Sequence, residues 1–322
     1  MLLRALDAAG RHGPALLFAG VLAGLAMPSL ADAASPLRDA GVFCFTLGAF
    51  LRVAPSELRR TVPTRGGALA LIAWTVVGVP LATWLGLAAL GLDRALADAL
   101  LLCALAPPLG GAATVAALLG LSAPLALWAT VAGTLAAPWT MPALGSWLGV
   151  AGPAFEPLGT ALRLALLVGG AAALAALAHR VSGPRLRANA TAVTGFSVLG
   201  MVVFAIGAMH GVQAQALAQP ATAALAVLAA FAFNAGLQAL GTVLFLRLGR
   251  RDAMTAGLVG GNRSVGLAWV GAGDGLPAAV ELGLAAALLP IYVLPAMLRR
   301  GVERLLSTEP RAMHCGATIR TL

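Results

Sequence analysis

The sequence predicts an all-α integral membrane protein: ten transmembrane helices in a 5+5 inverted repeat, with the fourth and ninth broken. Three observations lead there. First, the 322 residues are 60% apolar and 10% charged, with a mean hydropathy of +0.92. Apolar runs near the ~20 residues needed to cross a bilayer recur along the whole length. Second, one segment occurs twice, about 150 residues apart: Leu109-Gly110-Gly111-Ala112-Ala113-Thr114-Val115 and Val259-Gly260-Gly261-Asn262-Arg263-Ser264-Val265. Paired prolines follow each copy, Pro138 and Pro142 in the first, Pro290 and Pro295 in the second. A glycine pair with small polar residues makes a poor continuous helix. Two such spans in corresponding halves are the mark of broken helices that form a binding site at the repeat interface. Third, all 21 basic residues are Arg, and they are distributed unevenly between the loops.

Taken in order, spans are expected to start near residues 14, 37, 66, 96, 123, 156, 190, 219, 253 and 276. The first five form one repeat (1–152), the next five a second (153–300), and residues 301–322 a polar cytoplasmic tail. The second span is the shortest, with an unbroken apolar stretch only from Ala40 to Leu51. The first has a competing reading. Arg4, Arg11, the apolar run Ala15 to Ala26 and Ala31-Asp32-Ala33 also resemble a cleavable signal peptide. Five spans in the second half ask for five in the first, which favours a retained helix.

With the amino terminus inside, 17 Arg fall in cytoplasmic segments, among them Arg52, Arg59, Arg60, Arg65, Arg180, Arg185, Arg187, Arg247, Arg250, Arg251, Arg299 and Arg300. Only Arg38 and Arg94 fall outside, and Arg163 and Arg263 lie within spans. The positive-inside rule then puts both termini in the cytoplasm of a multi-pass inner (plasma) membrane protein. The net charge of +9 therefore asks for a bilayer and not for nucleic acid, and no protein partner is inferred. Cys44, Cys103 and Cys315 form no disulfide framework. His12, His179, His210 and His314 are scattered, so no metal site is expected. No zinc-protease pair, phosphate loop or nucleophile elbow is present, which argues against an enzyme.

Several stretches resemble the bile acid:sodium symporter family over roughly residues 14 to 300. Phe43-Cys44-Phe45-Thr46-Leu47-Gly48, Arg52 to Arg60, and Val79-Pro80-Leu81 resemble that family's second and third helices. Ala106 to Gly111 resembles its Pro-Gly-Gly fourth helix, and Leu125 to Pro142 its hydroxyl-rich fifth. Gly261-Asn262-Arg263-Ser264-Val265-Gly266-Leu267-Ala268 resembles its ninth-helix motif. The resemblance implies a core domain (66–150 and 219–298), in which the broken fourth and ninth helices cross, and a panel domain (14–53 and 156–212). An organic anion would bind between them near the crossing, and alternating access would move one domain against the other. Half-helix amino termini suit an anion, and unwound carbonyls suit a cation.

The departures from the family are specific. Its members bind two sodium ions. Thr114 stands at a ligand Ser, Thr130 and Thr134 keep hydroxyls, and Thr75 replaces a Gln. Val115 stands where the family has Asn. Val259 replaces the Glu shared by both sites, and Arg263 replaces a ligand Gln. Two unit charges about 4 Å apart repel by roughly 4 kcal/mol at an effective dielectric near 20, so sodium beside Arg263 is disfavoured. An intramembrane Arg costs at least ~2.5 kcal/mol and should face a cavity or a partner. Arg263 is therefore expected either to act as a tethered cation in place of sodium, reading an anionic substrate, or to lock the crossing through Glu281. Glu281 is alternatively a proton-coupling or interfacial carboxylate.

The candidate substrate and crossing residues are Gly110, Gly111, Thr114, Gly260, Gly261, Asn262, Arg263, Ser264 and Asn234. Those for ion or proton coupling are Thr75, Thr130, Thr134 and Glu281. Asn234 and Gln238, one turn apart, either line the cavity or bond neighbouring helices. Arg163 is expected to be an interfacial anchor. The expected function is secondary transport of a small organic anion, with sodium coupling altered or absent and no cofactor. A sodium symporter with rearranged sites and a transport-inactive sensor are the alternatives.

Overall fold

The computed structural model describes residues 2–53, 65–150 and 155–307. Arg59, Arg60, His314, Cys315 and the tail from residue 308 lie outside the described residues. Among those described, the regular structure is helical apart from one isolated β-bridge. Five helices are long and apolar enough to cross a membrane: Gly67–Leu90, Pro157–Ala188, Ala190–Gly207, Pro220–Leu244 and Ala278–Arg299. Large apolar side chains stand on the outside, Leu166 at 76% and Trp139 at 71% exposure. A water-soluble surface would not carry so many, whereas hydrocarbon solvates them. The chain is thus an all-α, multi-pass membrane protein.

A helix begins within three residues of each of the ten expected starts, but five spans are not single straight helices of sufficient length and apolarity. The helices are α1 (Leu2–Arg11), α2 (Gly13–Ala26), α3 (Pro28–Ala34) and α4 (Arg38–Leu51). α2 has 14 residues, about 21 Å against a hydrocarbon core near 30 Å. Where the sequence suggested a loop, the chain turns at Met27 into a new helix, and Ala15–Ala26 meets Pro28–Leu51 at 112°. Pro28 explains the turn: it has no N–H to continue α2, and its fixed φ suits the first position of α3. α1 was not anticipated. It packs on the seventh expected span, where a Cβ at Gly195 would overlap the Leu6 carbonyl oxygen.

Next come α5 (Arg65–Ala73), a π-helical turn at Trp74–Gly78, α6 (Val79–Leu90), α7 (Arg94–Leu105), α8 (Ala112–Leu118) and α9 (Ala123–Leu148). α9 is 26 residues long, but hydroxyl, glycine and proline residues dilute its apolar character. The remaining helices are α10 (Pro157–Ala188), α11 (Ala190–Gly207), α12 (Val212–Ala218), α13 (Pro220–Leu244), α14 (Arg250–Gly261), α15 (Val265–Ala272), α16 (Ala278–Ala286) and α17 (Leu288–Ser307). α10 kinks at Ser182, just before Pro184, because the ring of a proline clashes with the preceding turn.

α11 packs against α1, α2 and α4, and α4 also packs on α10. α7 packs against α6 and α16, and α13 against α14 and α16. The short α15 lies where these two sets meet, touching α4, α7 and α10. One apolar cluster joins them, from Val42 and Phe45 through Leu102, Met141 and Leu164 to Trp269 and Leu284.

Candidate functional site

The two copies of the glycine segment meet. α7 stops at Leu105 and α8 starts at Ala112; α14 stops at Gly261 and α15 starts at Val265. Between the stops and starts the chains are unwound and pair as an antiparallel bridge, Pro108 opposite Arg263. The Leu109 N–H donates to the Asn262 carbonyl at 2.9 Å, and the Ser264 N–H to the Pro107 carbonyl at 2.8 Å. The two breaks thus satisfy each other's backbone, as any unwound backbone away from water must be satisfied by protein. The glycine pairs sit differently. Gly110 and Gly111 end the first break, whereas Gly260 and Gly261 close α14 before the second. Gly261 is needed for close approach, since a Cβ there would lie 2.6 Å from the Asn234 carbonyl oxygen. A Cβ at Gly111 would meet nothing.

Arg263 is 2% exposed. Its Nη2 donates to the carbonyls of Thr75 at 2.7 Å and Ala104 at 2.9 Å, and Nη1 reaches the Val259 carbonyl at 3.5 Å. Prolines explain why the first two acceptors are open. In a continuous α7 the Ala104 carbonyl would accept from residue 108, which is Pro108, and Pro107 also lacks an N–H. In the π-turn the Val79 N–H bonds Trp74, so the donor for Thr75 would be residue 80, which is Pro80. The guanidinium fills both vacancies. It also lies at the carboxyl ends of α7 and α14, where a cation is favoured by the helix dipoles.

The expected Arg263–Glu281 lock is not made. Glu281, in the first turn of α16, instead pairs with Arg38 at 3.6 Å. The Arg38 guanidinium lies 5.4 Å from the centre of the Trp269 ring, which meets Phe204 edge-on at 6.1 Å. The expectation failed because Glu281 sits at the start of α16, level with the start of α4, whereas Arg263 turns into the helix ends.

The other candidates separate into two groups. Asn234 donates to the Asn262 side chain at 3.3 Å and accepts from Gln238 at 2.6 Å, so this chain of amides ties α13 to the second break. Gly260 lies against Trp74, whose Nε1 would be 3.0 Å from a Cβ there. The Thr75 hydroxyl bonds the Ile72 carbonyl at 3.1 Å, and that of Thr130 bonds Ala126 at 2.8 Å. Gly110, Thr130, Thr134 and Ser264 line one narrow cleft, whose empty space of about 380 Å³ includes open solvent, with Phe45, Thr46 and Phe50 of α4 as its other wall. Thr114 accepts from Arg52 Nη1 at 3.3 Å, and Arg52 Nη2 donates to the Gly110 carbonyl at 3.2 Å.

Arg263 does not line that cavity. It borders a smaller one with Cys103, Asn234 and Pro290. Arg163 is more than an anchor. It donates to the Gly271 carbonyl at 3.2 Å, and Thr160 bonds the same oxygen at 2.7 Å, capping α15. Sequence reasoning also missed Arg38, Arg52, Thr46 and the buried Asp98, which pairs with Arg94 at 3.1 Å. Three of these four are charged residues near helix ends, and that position was the available signal. No cluster of His, Cys, Asp and Glu suited to a metal occurs among the described residues.

No family model and no curated protein sequence matches this chain.

Proposed function

We propose that this chain is a secondary transporter that moves a small organic anion by alternating access, on a ten-span 5+5 inverted repeat of the bile acid:sodium symporter type, without sodium coupling. The observation that carries this reading is the pairing of two broken helices with Arg263 seated on the Ala104 carbonyl at the end of α7 and the Thr75 carbonyl of the π-turn. Such carbonyl clusters at discontinuous helices hold coupling cations in transporters. Here a tethered guanidinium takes the cation's place. It brings positive charge without drawing on an ion gradient, and its charge opposes the entry of sodium.

The division of ends fits the same reading. Arg263 occupies the carboxyl ends of α7 and α14, while the narrow cleft lies beside Ser264, the cap residue of α15. That is the positive end of α15's dipole, and α15 lies next to α4. The anion therefore binds between α4 and the breaks. The packed set α2, α4, α10 and α11 is the panel, and the helices around α7, α9, α13 and α14 are the core. Both termini face the cytoplasm across the plasma membrane.

Radiolabelled carboxylates and sulfonates applied to proteoliposomes in choline buffer test this. At least one should show counterflow at the same rate when sodium replaces choline. Stimulation of tenfold or more by sodium, about 1.4 kcal/mol of coupling, would mean that Arg263 does not replace the ion. Saturable binding with no flux would identify a sensor on the same fold.

A further inference from the structure

We infer that the anion's charge is read by Arg52 at the end of α4, with the hydroxyls of Thr46 and Ser264 completing the site. This rests on the transporter reading above for its ligand class, but its residues are chosen on separate grounds.

Thr46, Phe50 and Val53 recur at helical spacing and place one face of α4 on the narrow cleft beside Ser264. Thr46 and Ser264 are 2% and 1% exposed, yet their hydroxyls have no hydrogen-bond partner. Several other buried hydroxyls among the described residues do have one. Thr83 and Thr130 bond the carbonyls one turn back, Ser197 bonds Phe45 and Thr160 bonds Gly271. A buried hydroxyl without a partner is uncommon. Here two of them line one cavity from opposite walls, Thr46 from α4 and Ser264 from the second break. Neither oxygen is reached by water in this conformation, so a ligand's oxygens would satisfy them on parting α4 from the second break.

The cation comes from Arg52. Its bonds to Thr114 and Gly110, at 3.3 and 3.2 Å, are longer than charge-assisted bonds and go to neutral acceptors. No carboxylate among the described residues pairs with it, and its Nε is buried without a partner. Arg263, by contrast, has its Nη2 committed to two carbonyls and lines the other cavity. Arg52 does not itself line the larger cleft, but it stands at its edge: its chain neighbour Val53 and the Gly110 that it bonds both line it. A carboxylate or sulfonate on a short apolar body would exchange Arg52's long neutral contacts for a forked, charge-assisted pair. The body would rest on Phe45, Leu127 and Leu267.

The probes are phenylacetate, phenylmethanesulfonate and the neutral phenylacetamide, bound to the purified full chain in choline buffer. Phenylglyoxal modification of Arg52, read by mass spectrometry, should slow at least tenfold under saturating phenylacetate or phenylmethanesulfonate and not under the amide. Arg52→Gln should weaken anion binding tenfold or more without changing the unfolding temperature by more than a few degrees. Arg52→Lys, which keeps charge without the fork, should fall between. Thr46→Val and Ser264→Ala should each weaken the same probe severalfold. Equal modification of Arg52 with and without both anions, or parent affinity in Arg52→Gln, overturns the assignment. Arg52-dependent binding with no flux leaves this site standing and removes transport instead.

Discussion

Arg263→Ala isolates the claim that a guanidinium replaces an ion. The substitution removes the donors held by the Thr75 and Ala104 carbonyls at 2.7 and 2.9 Å; the 3.5 Å contact to Val259 is too long to weigh. Pro80 and Pro108 prevent the backbone from replacing either donor. Each buried carbonyl left open costs about 1–3 kcal/mol, so the variant should lose about 2–6 kcal/mol. The vacated space is walled by carbonyls and carries no charge, which suits a monovalent cation. Sodium or guanidinium should therefore stabilise Arg263→Ala saturably and leave the parent unaffected. A site with a dissociation constant near 1 mM would return about 2.7 kcal/mol at 100 mM ion. The assay is thermal unfolding in detergent followed by a thiol dye, since buried Cys103 borders the same small cavity and reacts on opening. An Arg263→Ala protein as stable as the parent, or destabilised but indifferent to both cations, would refute the reasoning.

Two further outcomes follow from the contacts described. A cysteine placed at Asp93 should react with an impermeant reagent in intact cells, and one at Arg185 only after permeabilisation; the opposite pattern would defeat the inverted repeat. Arg38→Ala should loosen the contact of α4 with α15 and α16, measured as faster labelling of a cysteine at Ala272. The exchanged pair Arg38→Glu with Glu281→Arg should restore part of the protection, and labelling unchanged by Arg38→Ala would show that the pair holds nothing.

How much was legible depended on whether the determinant was local. Glycine and proline act through their own backbone. The breaks at 106–111 and 262–264, and the starts of helices, could therefore be read from Pro107, Pro108 and the paired glycines. Hydropathy likewise gave the membrane environment. The bend at Met27 was missed although Pro28 announces it, because the apolar run to Ala26 looked long enough to serve as a span. The destination of Arg263 was not legible. Its acceptors lie 188 and 159 residues away in sequence, and a guanidinium that serves carbonyls leaves no complementary acid to search for. The search for a countercharge chose Glu281, which the fold gives to Arg38 instead. Arg52 was counted as a topology signal. That is a statistical reading of a cytoplasmic Arg, and it is silent on where the side chain reaches.

The two ends of α4 now carry opposite kinds of contact, and this bears on which way the site opens. At its start, Arg38 is held by an acid and an aromatic face, both on helices that follow the second break. At its end, Arg52 holds, among the described residues, neutral oxygens of the first break and the helix after it. The Arg38 charge is thus met by an opposite charge, at ion-pair distance, and by an aromatic face, whereas the Arg52 charge has no countercharge among the described residues. The Arg52 end is therefore the one an anion can unlock. An anion at Arg52 would loosen the neutral contacts to Gly110 and Thr114 while leaving Arg38 in place. Ligand binding is then coupled to movement at one end of α4 only. On the topology read from the arginines, that end faces the cytoplasm. The site should accordingly fill from the cytoplasmic side in this conformation. Phenylglyoxal should reach Arg52 in inside-out vesicles well before it does so in right-side-out ones, and equal rates would contradict the assignment of a closed outer end.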